Sequence, residues 1–71
     1  MKTNWKYVIE PRDYGFAIVK HFPDSKRNYR ELVAMFEPQP DGSIIRTFSY
    51  SGFPTMLFTG LVDVKMFYGI D

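Results

Sequence analysis

The chain has 71 residues, 45% of them hydrophobic and 18% aromatic, with a formal net charge of +1 at pH 7 and no cysteine. This describes one small domain, and it excludes a disulfide framework, a thiolate metal site, a polybasic tail and an acidic mimic of nucleic acid. The N-terminus lacks the apolar core of a signal peptide. The longest uncharged run, Thr47 to Val62, is interrupted by Gly52, Pro54 and Gly60 and is too short to span a membrane. A soluble, cytoplasmic protein with no membrane attachment is expected.

Trp5, Tyr7 and Ile9 alternate with Lys6, Val8 and Glu10, the period-two pattern of a half-buried strand. Pro11–Arg12–Asp13 is expected to end it, because proline cannot donate to a ladder. A second strand runs from Tyr14 to Phe22. Tyr14, Phe16, Ile18, Lys20 and Phe22 share one face; Gly15, Ala17, Val19 and His21 share the other. Few polar residues lie on either face, which predicts a central strand. The short link at Pro11–Asp13 predicts antiparallel pairing with the first strand.

Tyr29 to Glu37 carries two patterns. Tyr29, Leu32, Val33 and Phe36 follow helical spacing, and Asn28 with Glu31 resembles a capping box. Arg30 at the start and Glu37 at the end oppose the helix dipole, however. As a strand, the segment has a partner in Ser43–Tyr50 across Pro40–Asp41–Gly42. There proline presets φ, aspartate bonds its own backbone and glycine supplies a positive φ. The strand reading is preferred, with α+β and one short helix around Tyr29–Phe36 as the alternative. In Ser43–Tyr50 the alternation places Ile44, Arg46, Phe48 and Tyr50 on one face. Ser51–Gly52–Phe53–Pro54 breaks the pattern. Thr55–Thr59 reads as a short strand or one helical turn, and Leu61–Tyr68 as a last strand. The expected fold is mostly β: a small antiparallel sheet of about five strands, curled or forming a partly open barrel bent at Gly52 and Gly60.

No catalytic motif emerges. The single histidine, His21, has Asp24 and Ser25 as sequence neighbours, too local for a triad. One histidine without cysteine makes a poor metal site. Glu10 and Asp13 flank Arg12, as in a solvated turn. The expectation is a non-enzymatic protein with no cofactor, no metal and no catalytic residue.

Two binding readings remain. The uncharged run contains Phe48, Tyr50, Phe53, Met56, Leu57 and Phe58, and interface cores are depleted in charge and enriched in aromatics and methionine. Phe48, Tyr50, Phe53, Met56 and Phe58 are therefore candidate protein-binding residues. Phe53, between Gly52 and Pro54, is the expected exposed anchor. The corresponding function is a small protein-binding module, such as an inhibitor, immunity protein or accessory subunit, with a homodimer as one form of partnership. The alternative is a single-strand nucleic-acid binder. It would use Lys20, Lys26, Arg27, Arg30 and Arg46 as a cationic track and Tyr29 as a stacking platform. The near-neutral net charge falls short of the usual basic footprint of such proteins.

Overall fold

The structure, a computed structural model, describes residues 5–23, 29–52 and 55–70. Five strands form one antiparallel sheet in chain order: β1 (Lys6–Arg12), β2 (Gly15–His21), β3 (Arg30–Pro38), β4 (Ile44–Ser49) and β5 (Met56–Phe58). One helix follows, α1 (Leu61–Tyr68). The sheet is an open meander with β1 and β5 at its edges and does not close into a barrel.

β1 does not stop at Pro11. It continues to Arg12, and Pro11 pairs with Phe16. Proline is tolerated there because β1 is an edge strand, where a missing N–H costs no ladder bond. β2 lies between β1 and β3, as its two apolar faces predict. The Tyr29–Glu37 region is a strand, so the helix considered for Tyr29–Phe36 does not form. What favours the strand is the hairpin. Gly42 N–H donates to Gln39 O at 3.0 Å, and Gln39 N–H donates to Ser43 O at 2.8 Å. Asp41 Oδ1 accepts from the Ser43 amide at 2.9 Å and from its hydroxyl at 2.6 Å. Gly42 has φ 92°, a value that L side chains rarely adopt.

The last apolar stretch is a helix, not the predicted strand. Alternation in Val62, Val64, Met66 and Tyr68 was a coincidence of a segment that is apolar on all sides. Val64 and Tyr68, four apart, are the pair that faces the core. Gly69 then adopts a left-handed conformation, φ 70°. Its amide donates to Met66 O at 3.3 Å, and the Ile70 amide donates to Lys65 O at 2.8 Å. This is a Schellman stop. At the other end Asp63 Oδ2 accepts from the Thr59 amide at 3.2 Å, close to the positive pole of the helix.

The core lies between α1 and one face of the sheet. Ile18, Ala34, Phe36, Ile44, Phe58 and Val64 are buried together there. Phe36 is its centre: it stacks on Phe16 at 4.9 Å and meets Phe58 and Tyr68 edge-on at 5.9 and 6.0 Å. Edge contacts of this kind add about 0.5–1.5 kcal/mol beyond area burial.

Candidate functional site

Two β-bulges decide what each face of the sheet presents. One falls where Ile18 pairs with Ala34 while Val19 pairs with Leu32. The other falls where Phe36 pairs with Arg46 while Met35 pairs with Phe48. Thr47 is the extra residue of the second, so the side-chain alternation of β4 reverses after it. Arg46 stays on the helix face, Ser49 joins it, and Phe48 is delivered to the opposite face with Met35. The simple alternation predicted for Ser43–Tyr50 fails at this point because an inserted residue changes the phase.

No helix covers the second face. In register, Lys6, His21 and Arg30 form a basic row at one end of it, followed by Val8, Val19 and Leu32. Ala17 and Val19 are buried, although neither belongs to the core beneath α1. Arg30 of β3 and Glu10 of β1 form an ion pair, and the diagonal between them crosses β2 at Val19. Glu10 also pairs with Arg12 at 3.3 Å. Exposed ion pairs stabilise little; the consequence here is that two long side chains shield the β1–β3 half of this face. The β4–β5 half has no such strap. Ile45 pairs with Leu57 there, and Phe48 lies on the same face.

The exposed apolar residues concentrate accordingly. Among the described residues, seven of the nine exposed large hydrophobics lie between Phe48 and Phe67. Phe48 is 40% exposed, Tyr50 76%, Leu57 66%, Val62 71% and Met66 76%. α1 has only two charged residues, Asp63 and Lys65, and it exposes Leu61 and Phe67 as well. A short helix with this many exposed apolar side chains and so few charges is normally covered.

The candidates from the sequence separate as follows. Phe48 and Tyr50 are exposed, Met56 packs against the core, and Phe58 is buried within it. Phe53 lies outside the described residues. The exposed residues of α1 were missed. Their signal was the apolar character of positions 61–68 read at helical rather than strand spacing, with Gly69 as the stop.

Among the described residues, the candidate cations Lys20, Arg30 and Arg46 are divided between the two faces of the sheet. Lys20 lies on the helix face with its ammonium 4.7 Å from the centre of the Trp5 ring. Arg46, also on that face, is 7% exposed and donates from Nη1 to Tyr68 Oη at 3.0 Å. Arg30 is on the opposite face, paired with Glu10. Tyr29 is exposed and packs against Phe22 at 5.6 Å. Lys26 and Arg27 lie outside the described residues, as do Asp24 and Ser25. His21 sits between Lys6 and Arg30 in register. Among the described residues no three His, Asp or Glu side chains group as metal ligands, and no helix is long and apolar enough to cross a membrane.

No family model matches the chain, and no curated protein or solved structure is significantly similar to it.

Proposed function

We infer that this chain is a small non-enzymatic protein-binding module whose contact surface is built from β4, β5 and α1. One observation carries the reading: Leu61, Val62 and Met66 are exposed on α1, and Leu57 is exposed on the uncovered face of the adjoining edge strand β5. Clustered exposure of large apolar side chains marks interaction sites rather than ordinary surface. From Thr47 to Val62 the chain carries no charge, so the complementary partner is an apolar, charge-poor protein surface and not a phosphate backbone. Masking such a partner is the mode of action of an inhibitor, an immunity protein or an accessory subunit. A second copy of the chain is one such partner.

Affinity capture from source extract tests this, with the wild type and with a Val62→Glu, Met66→Glu double variant, each with and without nuclease. Both side chains point to solvent, so the variant should keep its stability within about 0.5 kcal/mol. The expected result is a protein captured by the wild type, lost with the double variant and indifferent to nuclease. Light scattering of the purified chain identifies a second copy as that protein. Capture that survives the double variant contradicts the reading. Capture that nuclease abolishes contradicts it too, and returns the nucleic-acid alternative.

A further inference from the structure

β1 and β5 are the two edges of the sheet. β5 has three residues, too few to hold a further strand, whereas β1 has seven. An open edge of that length is a template for another strand. We propose that β1 pairs antiparallel with β1 of a second copy of this chain, with Val8 on the two-fold axis.

Pro11 sets the hydrogen-bond phase of this edge. It lies in the ladder opposite Phe16. A proline has no N–H, and a strand accommodates it where its nitrogen faces away from the neighbouring strand. Main-chain groups alternate between the two sides of a strand. Tyr7 and Ile9, four and two residues before Pro11, therefore turn their N–H and C=O groups outward as well. Among the described residues neither makes a backbone bond outside the β1–β2 ladder. Both side chains pack against the core beneath α1, which holds these outward groups in place before any partner arrives.

Charge selects the register. With Val8 facing Val8, Tyr7 of each copy faces Ile9 of the other, and the two exchange both main-chain bonds. Lys6 of each copy then faces Glu10 of the other. Opposite charges directly across two strands are favourable and like charges are not. Lys6 is exposed and, among the described residues, makes no ion pair. Glu10 already accepts from Arg12 and Arg30, but a carboxylate has about four lone-pair sites and can take a third donor. Sliding the axis to Ile9 would set Lys6 against Arg12, and Tyr7 against a proline with no N–H to donate. Sliding it to Tyr7 would set Lys6 against Val8. Only the register centred on Val8 satisfies both the charges and the main chain.

The contact is isologous, so it closes at two copies. Pro11 and Arg12 end the paired segment, and Tyr14 on the turn stays outside it. β5 lies at the opposite edge, so the surface proposed above remains free and the two ideas can fail separately. A few main-chain bonds and two exposed ion pairs make a weak contact, with a Kd of roughly 10–500 µM. Affinity capture from an extract works far below that concentration.

The experiment is sedimentation velocity on the purified chain from about 10 µM to about 2 mM, with ¹⁵N NMR spectra over the same range. The wild type should pass reversibly from monomer to dimer, with amide shifts at Tyr7, Val8 and Ile9 and none at Val62 or Met66. Lys6→Glu should weaken the dimer about tenfold, because both ion pairs become like-charge contacts. Lys6 touches neither the core nor an internal ion pair, so this effect stands by itself. Glu10→Lys alone should weaken it too. Mixing the Lys6→Glu chain with the Glu10→Lys chain should restore it, since each copy then meets the opposite charge at both positions. The Val62→Glu, Met66→Glu double variant should dimerise like wild type. The proposal is overturned if the chain stays monomeric at about 2 mM, or if Lys6→Glu leaves the dimer unchanged. It is equally overturned if the mixture of the two charge variants does not associate, or if the Val62→Glu, Met66→Glu variant abolishes the dimer.

Discussion

Gly15→Ala is a sharp test of the sheet, because the substitution adds a single methyl group. Gly15 opens β2, and its φ is outside the left-handed region, so backbone strain is not at issue. Space is. A Cβ at this position would overlap the carbonyl oxygen of Phe36 and come within 2.9 Å of Pro38 Cδ. The obstacle is β3 backbone, held in the ladder by the pairing of Phe16 with Phe36, and the two rings are stacked as well. Neither can move aside as a flexible side chain would. Overpacking a well-packed site costs about 1–3 kcal/mol, and a backbone obstacle belongs at the upper end, near 3 kcal/mol. For a domain of this size each kcal/mol lowers the melting temperature by roughly 4–8 °C, so the expected drop is about 12–24 °C. Thermal unfolding followed by circular dichroism reads it directly, and the denaturant midpoint should fall in parallel. A Gly15→Ala chain that melts within about 2 °C of wild type would refute the close approach and with it the β2–β3 register.

In β5, Phe58→Ala should cost about 3–5 kcal/mol because its ring is buried under α1. Leu57→Ala next to it should stay within about 0.5 kcal/mol because Leu57 faces solvent; denaturant titration of the pair checks the alternation. Gly42→Val should cost about 1–3 kcal/mol by equilibrium unfolding, since the site has open space but a positive φ that a β-branched residue resists. The Ser43 hydroxyl, then the Ser43 amide, hold the Asp41 carboxyl below its ordinary value of 3.8. A carboxyl depressed on folding contributes stability that is present above its unfolded pKa and is lost as the pH falls through its folded pKa, here below pH 3.8. NMR titration of Asp41 should show the low value, and Ser43→Ala should raise it.

The legible parts of the fold were those written in local chemistry. Pro40–Asp41–Gly42 fixed a hairpin, and the hairpin decided that Arg30–Pro38 is a strand despite its helical spacing. The double-sided apolar pattern of Ala17, Ile18 and Val19 marked β2 as central. The errors arose where period-two reasoning met a phase change or a segment without a polar face. Thr47 is one inserted residue, and it moves Phe48 from the core face to the open one. Residues 61–68 alternate no better than they spiral, and the two readings are separated by the Gly69 stop and by the packing of Val64 and Tyr68 against the core. The open, charge-poor character of the C-terminal part was visible in the run from Thr47 to Val62. Which of its residues are exposed was not, because Phe58 and Leu57 differ in burial through the pairing of β5 with β4.

The chain has no cysteine, so a single introduced thiol carries a photoreactive crosslinker to one chosen position. Met66→Cys places it on the exposed side of α1, and Tyr14→Cys places it on the β1–β2 turn, where Tyr14 is equally open to solvent. Both labelled chains are irradiated in source extract under the same conditions. If the β5–α1 surface is the binding surface, position 66 forms a discrete crosslinked protein adduct and position 14 does not. Equal adducts at both positions, or adducts at position 14 alone, would contradict the assignment.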